Sequence, residues 1–270
     1  MHPRPEHQPH DRLWLFAGTG EGPALARHLL ACGWRLRVWV VSSAAARAYP
    51  CCERLSISVG ALGETAALER ALFQAALEGE EPRWLVDATH PFATRIRATL
   101  QEVCLQHGQP LLRLQRPSLP VDAAVVLGGV GDLGRVPLQG KRLLLAIGAR
   151  QLSQAIRCSP GALHHARILP NPAALAAAMA AGLAPARVAP LRPGPDDAIE
   201  RALCRRWGID TLLCRRSGSA AEAHWHALAA GEGLQLLLLE RPVDPSGASA
   251  LSFEALLERI GSPPPEAHPS

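Results

Sequence analysis

Short runs rich in Leu and Val alternate along the chain with longer segments whose apolar positions recur at helical spacing. The first half predicts strands over Leu13 to Ala17, Arg35 to Val41, Leu55 to Val59, Trp84 to Asp87 and Pro110 to Leu114. Between them, Pro23 to Ala31, Thr65 to Glu78 and Ala93 to His107 read as helices, closed by Gly33 and Gly108 in the first and third cases. The second half repeats the scheme. Strands are predicted over Arg142 to Ile147, His165 to Leu169, Ala186 to Ala189, Thr211 to Arg215 and Gln235 to Leu239. Helices are predicted over Gln151 to Arg157, Ala173 to Ala181, Asp196 to Trp207 and Ala220 to Ala230. Strands alternating with helices predict a parallel sheet with crossover helices. Leu127 to Gly140 holds five glycines and reads as a linker region.

The expected fold class is therefore α/β, with two doubly wound, Rossmann-like parallel-sheet domains and an inter-domain cleft where ligands commonly bind. The boundaries are 11–126 for an N-terminal dinucleotide-binding domain and 136–260 for a C-terminal domain. Segments 1–10 and 262–270, polar and proline-rich, read as flexible tails.

Composition narrows the classes. With 48% hydrophobic and 19% charged residues, the chain has globular composition. Apolar stretches such as Leu234 to Leu239 fall far short of the ~20 residues that span a bilayer. Met1 to Asp11 has no apolar core, so it does not read as a signal peptide, and the expected location is cytoplasmic with no membrane partner. The seven cysteines are scattered without a C-x-x-C, and no H-E-x-x-H occurs among the eleven histidines, so no metal site is expected. Lys141 is the only lysine, so the other basic residues are all arginine. Arginine suits bidentate recognition of phosphate and carboxylate, although biased base composition explains the excess equally well. Basic residues form no long run and aromatics are 4%, which argues against nucleic acid as a partner.

The opening Leu13-Trp-Leu-Phe-Ala-Gly-Thr-Gly-Glu-Gly22 runs a buried strand through glycines into a helix. Missing side chains let backbone amides approach a pyrophosphate, whose charge the helix N-terminus favours. Gly18, Thr19, Gly20 and Glu21 are the candidate phosphate residues; a plain tight turn is the alternative. The second strand ends at Ser42-Ser43 with Arg47 just beyond, where NAD-binding sites usually carry an acid for the ribose. Hydroxyls and an arginine suit a 2′-phosphate, so NADPH is expected with NADH as the alternative. Arg47 as a solvated helix residue is the competing reading. Asp87-Ala-Thr-His-Pro-Phe-Ala93 follows another strand. There Thr89 can cap the next helix, Pro91 fixes the backbone, and His90 can donate a hydrogen bond or a proton, or merely cap. Arg215-Arg216-Ser217-Gly218 sets guanidiniums and free backbone donors at a further strand end, suited to anions or simply solvated.

Other chemistries lack their residues. The only tyrosine is Tyr49, so with Lys141 alone no Tyr-x-x-x-Lys pair exists; neither a G-x-S-x-G elbow nor a Walker A loop is present.

Ala17-Gly-Thr-Gly-Glu21, Val59-Gly-Ala-Leu-Gly63, Asp87-Ala-Thr-His-Pro-Phe-Ala93, Arg215-Arg-Ser-Gly218 and Glu240-Arg-Pro242, in that order, resemble the precorrin-6A and cobalt-precorrin-6A reductases of cobalamin biosynthesis. The likeness runs from about Leu13 to Pro242. It implies an oxidoreductase acting on a CH–CH group, with NADPH reducing one double bond of a polycarboxylate tetrapyrrole. By the same likeness, the Gly18–Glu21 turn contacts cofactor phosphates, and Ser43 and Arg47 lie near the adenosine end, beside Ser42. Gly60, Asp87, Thr89 and Pro91 line the nicotinamide side, with His90 as the candidate catalytic residue. Arg150, Arg215, Ser217 and Gly218 are the expected substrate residues. The chain departs from the family where Gly-Gly-Thr is common (Ala17-Gly18-Thr19 here), where a lysine is usual at Arg215, and at about His226. A non-catalytic NADP(H) sensor and an S-adenosylmethionine-dependent methyltransferase are the alternative functions. Monomer and dimer are both compatible with the sequence.

Overall fold

The computed structural model describes residues 11–18, 20–60, 64–121, 124–192, 194, 196–244 and 248–264. The first strand, β1 (Arg12–Ala17), shows how its sequence builds the fold. Leu13, Leu15 and Ala17 enter one core and Trp14 and Phe16 another, because successive side chains of a strand point to opposite faces. A strand buried on both faces belongs inside a parallel sheet covered by helices on both sides. The first unit supplies those helices with α1 (Glu21–Ala31), α3 (Thr65–Leu77) and α4 (Thr94–His107). Its remaining early strands are β2 (Arg35–Val40), β3 (Leu55–Val59), β4 (Trp84–Ala88) and β5 (Leu111–Leu114). A short helix, α2 (Ser43–Ala46), follows β2.

The first sheet is wholly parallel, ordered β5-β4-β1-β2-β3, with one further strand beyond β5. The chain builds outward from β1 in one direction, then returns to build from β4 in the other. The carboxyl ends of β1 and β4 therefore flank the point where strand order reverses.

The second unit repeats this plan. Its strands are β6 (Val125–Leu127), β7 (Arg142–Ala146), β8 (Leu163–Ile168), β9 (Val188–Pro190), β10 (Thr211–Arg215) and β11 (Gln235–Leu239), all parallel, ordered β6-β11-β10-β7-β8-β9. Leu144, Leu212, Cys214, Leu236 and Leu238 face a core shared with Trp225 and Leu228 of α8 (Ala220–Glu232) and Cys204 of α7 (Ala198–Trp207). The alternating residues Leu143, Leu145, Leu213 and Leu237 are also fully buried, on the face where the short helix α5 (Leu152–Cys158) and α6 (Pro172–Ala180) complete the unit. Each such leucine contributes roughly 1.5–3 kcal/mol by leaving water. The order reverses between β7 and β10.

Two expectations are corrected. The glycine-rich 127–140 region is not a linker. Val125–Leu127 is β6, paired with β11, and a 3-10 turn over Val130–Arg135 buries Val130 and Leu133. Three residues apart, those side chains fall on one face of a single turn, too short a signal to outweigh five glycines. The second unit also does not extend to 260: it spans Pro117–Arg241, and the chain rejoins the first unit from Pro242. There β12 (Ser249–Leu251) pairs with β5, and α9 (Phe253–Ile260) buries Leu256 and Ile260 in the β1 core. The Trp34 indole N–H donates to Gly261 O at 2.8 Å, pinning this return. Among the described residues, no helix is long and apolar enough to cross a membrane.

Candidate functional site

The glycines of the β1–α1 turn differ in what the protein demands of them. At Gly22 an added Cβ would overlap the Tyr49 hydroxyl and stand 2.8 Å from Ala17 Cβ, so close packing of α1 on β1 requires glycine there. At Gly20 it would meet nothing within 4 Å, and at Gly18 only the backbone of Thr89 and His90, at 3.7 Å or more. Both residues are exposed. The fold tolerates side chains at 18 and 20, so their absence leaves a cradle over the start of α1. No side chain caps that helix at Gly20, leaving first-turn amides available to an anion. Glu21 is otherwise engaged: its carboxylate accepts from Arg116 Nε at 2.6 Å and Nη2 at 3.1 Å. Its side chain is therefore committed to Arg116 rather than to the turn it begins. Thr19 lies outside the described residues.

Across the reversal point, the β4–α4 loop is built on a buried charge cluster. Asp87 is sealed from solvent. Its Oδ1 accepts from the Thr89 N–H at 3.0 Å and hydroxyl at 2.6 Å, and its Oδ2 accepts from Arg113 Nε at 2.9 Å. Arg97 Nε stands 3.5 Å from the same oxygen. Arg97 also donates to the Pro91 carbonyl at 3.4 Å and pairs with Asp244. Burial lowers the Arg97 pKa from its ordinary value, against the pull of Asp87 and Asp244. Asp87 thus positions the loop rather than offering oxygens outward, and Thr89 spends its hydroxyl on Asp87. His90 is half-buried at the reversal point. Its Nδ1 accepts the Phe92 N–H at 3.2 Å, so a neutral ring carries its proton on Nε2.

The remaining candidates of the first unit lie on the same carboxyl edge, at β2 and β3. Ser42 Oγ caps α2 by accepting the Ala45 N–H at 3.3 Å. Ser43 and Arg47 are exposed at the two ends of α2, and Val41 and Val59 expose apolar surface beside them. Gly60 ends β3 at φ 139°, a conformation side chains resist, and donates to Val40 O at 2.9 Å.

At the reversal point of the second unit, Gly148 (φ 78°) lies against the Arg215 guanidinium, 3.3 Å from an added Cβ to Nη1. Arg215 donates to Gln151 Oε1 at 2.8 Å. Burial, with Arg150 nearby, pushes its pKa down to about 10. A half-buried cation with an exposed one held close to it makes a local excess of positive charge that an anion would relieve. The loop's backbone donors do not serve that purpose. Ser217 N–H donates to Arg215 O at 2.9 Å and Gly218 N–H to Glu222 Oε2 at 2.5 Å, while the buried Ser217 hydroxyl lies 2.8 Å from Ser219 Oγ. The expected free donors at Ser217 and Gly218 are thus committed internally, which leaves the Arg150 and Arg215 side chains as the cationic groups of this loop edge.

Sequence reasoning missed Arg97, Arg113, Arg116 and Asp244. Arg113 sits in a run read only as apolar, and its pairing with Asp87 depends on strand register, which sequence does not display.

The family model for precorrin-6x reductase CbiJ/CobK matches residues 12–261. The chain is 34% identical to a cobalt-precorrin-6A reductase of Synechocystis sp. over 85% of this chain and 88% of the relative. It is 31% identical to a precorrin-6A reductase of Mycobacterium tuberculosis over 89% and 93%. Among solved structures, the CobK precorrin-6A reductase superposes with a TM-score of 0.73, covering 94% of this chain and 99% of the other at 23% identity, which supports the fold.

Proposed function

The chain belongs to the CbiJ/CobK precorrin-6x reductase family and is a precorrin-6A reductase of cobalamin biosynthesis; on that premise we propose that NADPH is its hydride donor and binds the carboxyl edge of the first sheet. The observation that carries this reading is the cradle at Gly18 and Gly20, where the fold has room for side chains and the sequence supplies none. The uncapped start of α1 adds backbone donors for a pyrophosphate. Arg47, exposed after α2, supplies charge for a 2′-phosphate, with Ser42 and Ser43 beside it.

When bound, the reduced nicotinamide supplies hydride to one carbon of the macrocycle. The protein's own contribution is positioning. The Asp87 cluster fixes the loop carrying Thr89, His90 and Pro91. His90, its Nδ1 occupied by the Phe92 amide, presents an Nε2 proton for donation. In the second unit, Arg150 and Arg215 hold substrate carboxylates.

The test is anaerobic mixing of purified protein with precorrin-6A, then with its cobalt form, following oxidation of NADPH and NADH. Substrate-dependent oxidation of NADPH in preference to NADH is expected. Dinucleotide binding without turnover on either macrocycle would replace the reductase reading with that of a sensor.

A further inference from the structure

Tyr49 is the chain's one tyrosine and lies two residues beyond Arg47. Its ring packs, partly buried, on the core formed by β1 and α1. A Cβ at Gly22 would overlap its hydroxyl, with the ring carbon Cζ at 3.6 Å. The phenol therefore fills the volume that any side chain at Gly22 would take. That volume lies between the last residue of β1, Ala17, and the second residue of α1, directly beside the Gly18–Gly20 cradle. Among the described residues nothing hydrogen-bonds the Tyr49 hydroxyl, and its oxygen is not sealed from solvent. Burial of the ring raises its pKa to about 12, so the hydroxyl keeps its proton as a donor under working conditions.

We propose that the Tyr49 hydroxyl donates a hydrogen bond to a pyrophosphate oxygen of the dinucleotide cradled by Gly18 and Gly20. This rests on the cofactor site proposed above. Gly22 then has two roles, close packing of α1 on β1 and a seat for a donor contributed from beyond α2. The donor is neutral, and a half-withdrawn hydroxyl without a partner gains most when a charged acceptor arrives. The pyrophosphate is common to NADPH and NADH, so Tyr49 serves both, whereas Arg47 serves the 2′-phosphate.

The test compares full-length protein with Tyr49→Phe, which keeps the ring on Gly22 and removes only the hydroxyl. Dissociation constants for NADPH and NADH are measured by nucleotide fluorescence, with thermal unfolding as the fold control. Tyr49→Phe is expected to weaken both by about 10-fold. Unchanged affinity, or a loss confined to NADPH, overturns the pyrophosphate assignment. A second measurement needs no variant. Because the tyrosine is unique, protein grown with 3-fluorotyrosine gives one fluorine resonance, and NADP⁺ is expected to shift it. A resonance indifferent to saturating NADP⁺ overturns the contact. If the parent protein binds neither nucleotide, the cofactor reading itself falls and takes this one with it.

Discussion

Asp87 and Arg113 stand opposite one another in the β4–β5 register, with the Arg113 Nε–H donating to Asp87 Oδ2 at 2.9 Å and both side chains withdrawn from water. The pair faces the α3–α4 side of the sheet, where Leu85 and Leu111 of the same strands are buried. It carries Thr89 on its other oxygen, so a buried ion pair holds the loop that flanks the reversal point.

Removing the charge of Asp87 should therefore cost more than removing that of its partly exposed neighbour. Asp87→Asn leaves Arg97 and Arg113 buried without their shared carboxylate, and should destabilise by about 3–5 kcal/mol. Asp244→Asn removes a 39% exposed group and should cost about 1 kcal/mol or less. Urea denaturation of the two variants beside the parent measures both; equal losses would contradict the assignment of Asp87 as the central anion.

His165 provides a pH prediction. It is buried against Trp207, ring centroids 4.9 Å apart, and burial, with lesser contributions from charges such as Arg187, lowers its pKa from 6.5. The neighbouring His164, bonded to Ser159, is lowered chiefly by burial as well. Below pH 6.5 the unfolded chain takes up protons that the folded chain resists, so stability is fully present above 6.5 and is lost as pH falls below it. His165→Phe should lose less stability than the parent between pH 7 and pH 5. Parallel losses in urea midpoints would show that His165 does not contribute to the acid sensitivity.

The β7–β10 edge predicts a split between substrate and cofactor. Arg150→Gln should raise the KM for the macrocycle by about 10-fold through loss of a carboxylate contact, while NADPH affinity is unchanged. Steady-state kinetics and nucleotide titration together check this; weakened NADPH binding with an unchanged macrocycle KM would assign Arg150 to the cofactor instead.

Arg47→Ala should weaken NADPH by about 10-fold or more and NADH little, because only NADPH carries the 2′-phosphate. Equal effects on the two nucleotides would remove that role from Arg47.

How far the sequence shows these relationships depends on their range. β10 and β11 fall at the residues their apolar runs mark, since a parallel strand buried on both faces is a local signal, and the edge strand β3 falls at its own short run Leu55–Val59 although it is only partly buried. The reversal-point loops are legible too, each lying directly after a strand, three of them marked by glycine and the β4–α4 loop by its Thr-His-Pro segment. What is not legible depends on partners distant in the chain. No helix is expected from the sequence where α9 stands, and chain order places its segment in the second domain, whereas Leu256 and Ile260 pack into the core of the first sheet. Gly218 is a free donor in sequence and a committed one in space, because Glu222 folds back from the first turn of α8 to accept its proton. The role of Tyr49 rests on a void at Gly22 that no pattern along the chain displays.

The cradle at Gly18 is the feature on which the cofactor reading stands, and it can be filled without disturbing the fold. A Cβ there meets only backbone atoms at van der Waals distance, so Gly18→Val places its methyl groups where the pyrophosphate is expected. The measurement is equilibrium binding of NADPH to Gly18→Val and parent, with thermal unfolding of both. A variant that melts with the parent and no longer binds NADPH is the predicted result. A variant that binds NADPH as tightly as the parent would contradict it, and the dinucleotide would have to lie elsewhere.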